Sequence, residues 1–424
     1  MSKADRNRIV LLAILLLAGR GILSASNHAT LTGVVTDAEG KPLDHATVLV
    51  YHAGVKRGYS TFCPSCYIDC GKRALTDTSG AFTITGLSPD LWFELLVVHD
   101  GFTPTFVKKI DPLQGPAPNA ALTRRTFVDD PRRVVRGLVV DKDGEAIRNA
   151  VITPLAVLVG NKSEFGAPPG MDPIAATDER GEFEIANHEA TSKVALMVEA
   201  RGMAPKFIVL QTGSERHTVT VSDGAWVRGR LMQNGRPIAG VEIGLTPPEP
   251  FQVGANLTIS GGVYDEIRIG TREDGSFAIT NVPAPGEWIV YAKMGSIESH
   301  GATLPLVIAT SRDNQEVNVG DIEIKHGYRL GGRVTLSDGK QIADGMRVFI
   351  ESDVTRDTQS WLLPPDGSFE FRGLAEGSYS IWAAVKGYDR SKDSQDKTIV
   401  DRNIDHFDVS LQSVKDGMSQ MSQH

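Results

Sequence analysis

One short phrase occurs four times in this chain and limits its fold more than any other feature. It reads Thr76-Asp-Thr-Ser-Gly-Ala-Phe-Thr-Ile84, Thr177-Asp-Glu-Arg-Gly-Glu-Phe-Glu-Ile185, Thr271-Arg-Glu-Asp-Gly-Ser-Phe-Ala-Ile279 and Pro364-Pro-Asp-Gly-Ser-Phe-Glu-Phe371. Common to all four is Gly-x-Phe-x-apolar. The glycine turns the chain, and the phenylalanine and the apolar residue two positions on point to one face of a strand and so enter one core. Upstream of each phrase a glycine opens an alternating apolar run, which is followed by a turn and a second alternating run. The four openings are Gly33-Val-Val-Thr-Asp-Ala-Glu-Gly40, Gly137-Leu-Val-Val-Asp-Lys-Asp-Gly144, Gly229-Arg-Leu-Met-Gln-Asn-Gly235 and Gly332-Arg-Val-Thr-Leu-Ser-Asp-Gly339. Asn-Gly and Asp-Gly supply the positive φ of a tight turn, so each opening reads as a β-hairpin. Downstream, a third strand ends in a glycine turn at Gly101, Gly202, Gly295 and Gly387.

The opening glycines are 104, 92 and 103 residues apart. Each repeat is therefore the size of a seven-stranded β-sandwich. By length alone the 424 residues suggest about three domains, and the repeat replaces that figure with four. No long apolar stripe at helical spacing with caps is present, so helices are expected to be scarce. The fold class expected is all-β: a tandem array of four Ig-like, transthyretin-like sandwiches over 27–124, 125–222, 223–325 and 326–412. A polar tail follows at 413–424.

Residues 1–26 do not belong to this pattern. Lys3, Arg6 and Arg8 precede the apolar run Ile9 to Ala18, and Ser24-Ala25-Ser26 supplies small residues. That is the layout of a secretory signal peptide. The run is short of the roughly 20 residues of a spanning helix, which makes an uncleaved N-terminal anchor the alternative. No later segment is apolar and long enough to span a membrane. Lys and Arg total 44 against 52 Asp and Glu, a net charge of −8 that falls to −11 once the leader is gone. An acidic exported chain argues against nucleic acid as a partner.

The openings and the Thr-Asp-x-x-Gly-x-Phe-x-Ile phrase resemble the carboxypeptidase regulatory-like domain, a transthyretin-like β-sandwich. The pattern is well matched at Gly33–Val50 and Thr76–Phe102, fairly matched in repeats three and four, and weaker in repeat two, where Ala186-Asn-His-Glu-Ala-Thr replaces a Gly-Leu turn. The resemblance implies an accessory, spacing or binding module, and the broader fold is similar to carbohydrate-binding sandwiches. The metallopeptidase that such domains accompany has no counterpart here, because no His-Glu-x-x-His and no His followed three residues later by Glu occurs.

All three cysteines fall within Cys63-Pro-Ser-Cys-Tyr-Ile-Asp-Cys70. Three chemistries fit this spacing. One is a local disulfide that leaves a thiol free or paired with another chain. Another is a thiolate metal site for Zn²⁺ or Cu(I), completed by His52 or His99. The third is a glutaredoxin-type Cys-Pro-x-Cys, whose usual setting at a helix N-terminus is not evident. Among the aromatics, Trp92, Trp288 and Tyr379 recur 12 or 13 residues after the turn glycine, which favours core packing, with a tyrosine-corner role open to Tyr379. Trp226 and Trp361 do not recur and are the better binding residues. Against that stands partial burial, at a domain junction for Trp226 and in a long loop for Trp361. Two Gly/Pro-rich insertions, 160–173 and 246–262, read as connectors or projecting loops.

The expected function is that of a non-catalytic exported binding, spacing or adhesive protein with no cofactor. Its partner would be a protein or polysaccharide of the cell envelope. The alternatives are a carbohydrate-binding protein using exposed aromatics, and a metal- or redox-handling protein centred on Cys63, Cys66 and Cys70.

Overall fold

The computed structural model describes residues 28–56, 69–117, 119–125, 130–159, 162–249, 251–253, 257–259, 269–390 and 396–414. The leader, Cys63 and Cys66 lie outside the described residues. The regular structure of the described residues is almost wholly strand, with one four-residue α-helix, Met294–Ile297, and one 3-10 turn, Pro131–Arg133.

The same two-sheet plan occurs in every repeat. In repeat one the opening strand Ala29–Asp37 lies between the phenylalanine strand Ala81–Leu87, antiparallel to it, and the closing strand Ala120–Leu122, parallel to it. The second sheet runs Arg73–Leu75, Thr47–Val55, Leu91–Val98, Thr105–Ile110. In repeat two Val134–Val140 lies between Glu182–Ala186 and Arg216–Thr220, in repeat three Ala225–Gln233 between Ser276–Val282 and Glu316–Glu323, and in repeat four Tyr328–Leu336 between Ser368–Leu374 and Val409–Ser413. In each case the first neighbour is antiparallel and the second parallel. Four hydrophobic cores sit between these sheet pairs, with Phe93, Phe183, Phe277 and Phe371 among their members.

The two repeated sequence signatures turn out to be one structural pair. Gly33 faces Phe82 across the ladder, Gly137 faces Phe183, Gly229 faces Phe277 and Gly332 faces Phe369. A Cβ on Gly33 or Gly137 would stand 2.6 or 2.4 Å from the phenylalanine ring, and one on Gly229 would stand 2.9 Å from it. The glycine is empty space that the ring fills. At Gly332 the space is taken by the backbone of Phe407 instead. The threonine that opens the phrase fastens the other sheet. Thr177 Oγ1 accepts from Ala150 N at 2.8 Å and donates to the Ile147 carbonyl at 2.6 Å, and Thr76 does the same with Ala46 and Leu43.

The third opening closes as a short hairpin, with Met232 facing Pro237 and Gln233 facing Arg236 across Asn234-Gly235; the other openings do not. Asp37 Oδ1 accepts from Glu39 N and Lys41 N in a tight turn, but only an isolated bridge, Thr36 to Pro42, follows it. The chain then crosses to the other sheet, with Leu43 dropping into the core. In repeat one the opening strand has ladder partners on both edges, which leaves the returning run no edge for a strand. The insertions expected as connectors also carry strands. Lys162–Phe165 pairs with Val151–Val159, and Phe251–Val253 pairs with Leu257–Ile259.

The described repeats are joined by packed contacts. Repeats one and two share a cluster of Leu49, Leu96, Val98, Val151 and Ile174, beside Arg125, which holds Asp172 and lies 3.7 Å from Glu184. Between two and three, Asn281 Nδ2 donates to the Gly202 carbonyl at 2.7 Å, while holding the Asp223 carbonyl of its own repeat at 2.9 Å. Between three and four, Met294 enters the fourth core, and its amide donates to buried Asp357 Oδ2 at 2.6 Å.

Candidate functional site: a tryptophan and arginine groove on repeat three

Along Ala225–Gln233 the residues alternate. Ala225, Val227 and Leu231 enter the core, while Trp226, Arg228 and Arg230 face solvent. Trp226 is 51% exposed, and its amide donates to the Gln315 carbonyl at 2.8 Å, so its side chain is open rather than partly buried as the sequence favours. It occupies one end of a groove of about 560 Å³ across the face of this sheet. Arg230 grips Asp321 with two hydrogen bonds, Nε to Oδ1 at 2.8 Å and Nη2 to Oδ2 at 2.9 Å. Hydrogen bonding and charge from Asp321 raise the Arg230 guanidinium above its usual range. Arg228 pairs with Glu316, and Arg272 Nη1 donates to Ser276 Oγ at 3.4 Å. The groove thus offers a flat indole beside a row of fixed forks and carboxylates. An object with an apolar face and a rim of hydroxyls, such as a sugar ring, matches that arrangement.

Trp361 lies in strand Thr358–Leu362, not in a loop, opposite Val348 at the sheet edge, and is 39% exposed. The two tryptophans are on different repeats and do not form one site. Trp382 escaped notice in the sequence. It is 37% exposed and faces away from the core, with its ring stacked on Phe349 at 5.4 Å and 11°. Its signal is the alternation of Gly377–Ala384, in which Tyr379 and Ile381 point inward and Trp382 outward.

The recurring aromatics divide. Trp288 is a core residue whose Nε1 donates to the Pro283 carbonyl at 3.1 Å, and the Tyr379 hydroxyl donates to the Ala375 carbonyl at 2.9 Å, as a tyrosine corner does. Burial pushes the Tyr379 hydroxyl up to about 12. Trp92 departs from them. Phe93 takes the core position, and Trp92 lies on the outer face across from Gly54, where a Cβ would meet its ring at 2.4 Å.

Of the cysteine loop, Cys70 is described, and it is buried in the first core. Its neighbour Asp69 anchors the segment by accepting from Ser88 N at 3.0 Å and pairing with Lys72. The two histidines proposed to complete a metal site have partners among the described residues. His52 Nδ1 is 2.8 Å from Glu94 Oε2, and both His99 nitrogens face carbonyl oxygens, of Asp100 at 2.9 Å and Asp44 at 3.0 Å. Among the described residues no group of three or more His, Cys, Asp or Glu is placed to hold a metal ion. No described helix is long and apolar enough to cross a membrane.

No protein-family model matches the chain, and no curated protein matches its sequence. Among solved structures, a Streptococcal ancillary pilin is similar over 66% of this chain and 99% of its own, at 12% identity and a TM-score of 0.21. The Bacillus anthracis TIE protein is similar over 98% of this chain and 81% of its own, at 10% identity and 0.19. BcpA, the major pilin subunit of Bacillus cereus, is similar over 70% of this chain and 100% of its own, at 12% and 0.18. Scores this low fix neither a family nor a function. The fold rests on the strands themselves.

Proposed function

We propose that the chain is an exported, non-catalytic binding and spacing protein of the cell envelope. Its four modules, 27–124, 125–222, 223–325 and 326–412, are relatives of the carboxypeptidase regulatory-like sandwich. The observation that carries the reading is the wiring of the junctions: Arg125, which pairs with Asp172 and whose amide donates to the Gly101 carbonyl of repeat one at 2.8 Å, Asn281 with Gly202, and Met294 with Asp357. Contacts of this kind hold neighbouring modules at set distances, so that sites on different modules engage one large partner at high effective concentration. The leader-like residues 1–26 support export. Cross-linking of the intact protein in cells, followed by identification of what it holds, tests the proposal. A protein or polysaccharide of the envelope is the expected capture, and retention of the chain in the cytosol with its leader intact would overturn it.

A second reading is favoured by the exposure of Trp226 beside paired arginines. In it, repeat three binds a polysaccharide through the groove. Titration of tryptophan fluorescence with neutral and acidic polysaccharides should give a change that Trp226→Ala abolishes while Trp361→Ala leaves it. No response to any polysaccharide would remove this reading and leave the spacing role standing.

A further inference from the structure

Three arginines line the groove of repeat three, and each stands with a carboxylate of the same surface. Across the ladder Trp226 faces Glu316, Arg228 faces Asn318 and Arg230 faces Asp321, so the strand Glu316–Glu323 lays acidic residues alongside the arginine row. Arg228 pairs with Glu316, and Arg230 holds both carboxylate oxygens of Asp321. Arg272 has Asp274 two residues on, in the turn that its amide closes on the Ser276 carbonyl. Hydrogen bonds from Ser276, with the charge of Arg272 behind them, hold the Asp274 carboxyl below its usual range, and Asp274 also acts on Arg230. Guanidinium and carboxylate therefore balance one for one around the groove, in a chain whose net charge is −8. Hydrogen-bonding capacity is left over. Arg230 commits Nε and Nη2 to Asp321, which leaves Nη1, and Asn318 accepts from Gly320 N at 3.0 Å through Oδ1, which leaves its amide N–H groups.

We propose that this groove selects a neutral polysaccharide and that its paired carboxylates turn an acidic one away. The inference rests on the polysaccharide reading of repeat three given above and names the ligand class within it. A guanidinium that already faces a carboxylate can offer its remaining N–H groups to hydroxyls, which bring no charge and leave the balance intact. An acidic polymer would have to set its own carboxylates beside Glu316, Asp321 or Asp274, and like charges brought together across a contact cost binding. The acidic chain as a whole repels such a polymer further. Trp226, half exposed at the end of the row, supplies the flat apolar face on which a ring stacks whatever its charge. Outward residues recur about every 6.7 Å along a strand, so Trp226, Arg228 and Arg230 span about 13 Å. That is longer than one sugar ring, so the row suits several units of a polymer rather than a free sugar.

The test is calorimetric and tryptophan-fluorescence titration of the full exported chain with soluble neutral glucans and mannans. Each is run beside the same polymer after oxidation of its C6 hydroxymethyl groups to carboxylates. A neutral polymer should bind with an affinity that changes less than about twofold between about 0.05 and 0.5 M salt, and its oxidised form should bind at least about tenfold more weakly at the lower salt. Asp321→Asn, at an exposed position, leaves Arg230 without its countercharge. It should raise the affinity for the oxidised polymer by about threefold or more at low salt and make that affinity fall as salt is added. Trp226→Ala should abolish the binding of both forms. An oxidised polymer that binds as tightly as its neutral parent, or more tightly, overturns the proposal and leaves the polysaccharide reading standing. So does an Asp321→Asn chain whose preference between the two forms is unchanged. Absence of binding to every polymer overturns the proposal together with the reading beneath it.

Discussion

At Gly137 a methyl group would sit 2.4 Å from the ring of Phe183, its cross-strand partner. Gly137→Ala should therefore overpack the second core and cost about 1–3 kcal/mol, read as a lowered urea midpoint at unchanged slope. Gly235 serves as the comparison. Its φ is +73° with nothing within 4 Å of an added Cβ, so its replacement by Ala carries only the left-handed backbone cost of about 1–2 kcal/mol. Gly181, at φ +75° and with its Cβ position 2.6 Å from the Val139 carbonyl oxygen, has both penalties and should lose more than either. Both halves of this pair were legible in the sequence as recurring letters. That one fills the space left by the other was not, because the contact spans some 46 residues at Gly137 and Phe183 and only the ladder brings them together. Tyr379 offers a pH test. Its folded pKa, raised to about 12, exceeds the ordinary tyrosine value, so above pH 10 the folded chain holds a proton that the unfolded chain releases. Stability from this group is complete below about pH 10 and is lost between about 10 and 12, by at most about 2–3 kcal/mol. In Tyr379→Phe that part of the alkaline slope should be absent when denaturation is compared with the parent protein between pH 9 and 12.

At the scale of elements, a corner and a hairpin share their local signals. Asp37 to Gly40 has the residues of a tight turn and forms one, yet the strand beyond it belongs to the other sheet. Which sheet a strand joins depends on which edges are vacant, and the edges of the opening strand are taken by segments about 45 and 85 residues downstream, beyond any local pattern. The groove divides in the same manner. The Trp226-x-Arg-x-Arg230 alternation is local and readable, whereas Glu316 and Asp321 come from a parallel strand some 90 residues away. The helix Met294–Ile297 makes the junction of repeats three and four measurable. Asp357→Ala would leave the buried Met294 amide without its acceptor, at a cost of about 1–3 kcal/mol. The expected result is a denaturation curve in which repeats three and four no longer unfold together, with proteolysis appearing between 293 and 358. An unchanged single transition would assign the coupling to the apolar contacts alone.

For the whole molecule, the recurring strand plan was readable from the spacing of glycines, but the contacts that join the repeats were not. Those contacts come from residues outside the repeated phrases, such as Arg125, Asn281 and Asp357, each used once. Releasing the second junction should therefore change shape more than stability. Asn281→Ala is expected to broaden the distribution of inter-residue distances in small-angle scattering while leaving the circular dichroism spectrum intact. One feature common to all four repeats has a mechanical meaning. In each, the first and last strands lie side by side and parallel, Val134–Val140 with Arg216–Thr220 for example. A tension applied to the two ends of the chain pulls such neighbours past one another along their length. The rungs between them then share the load and give way together, where an antiparallel pair pulled from one end would open a rung at a time. A chain of this build resists pulling at every link.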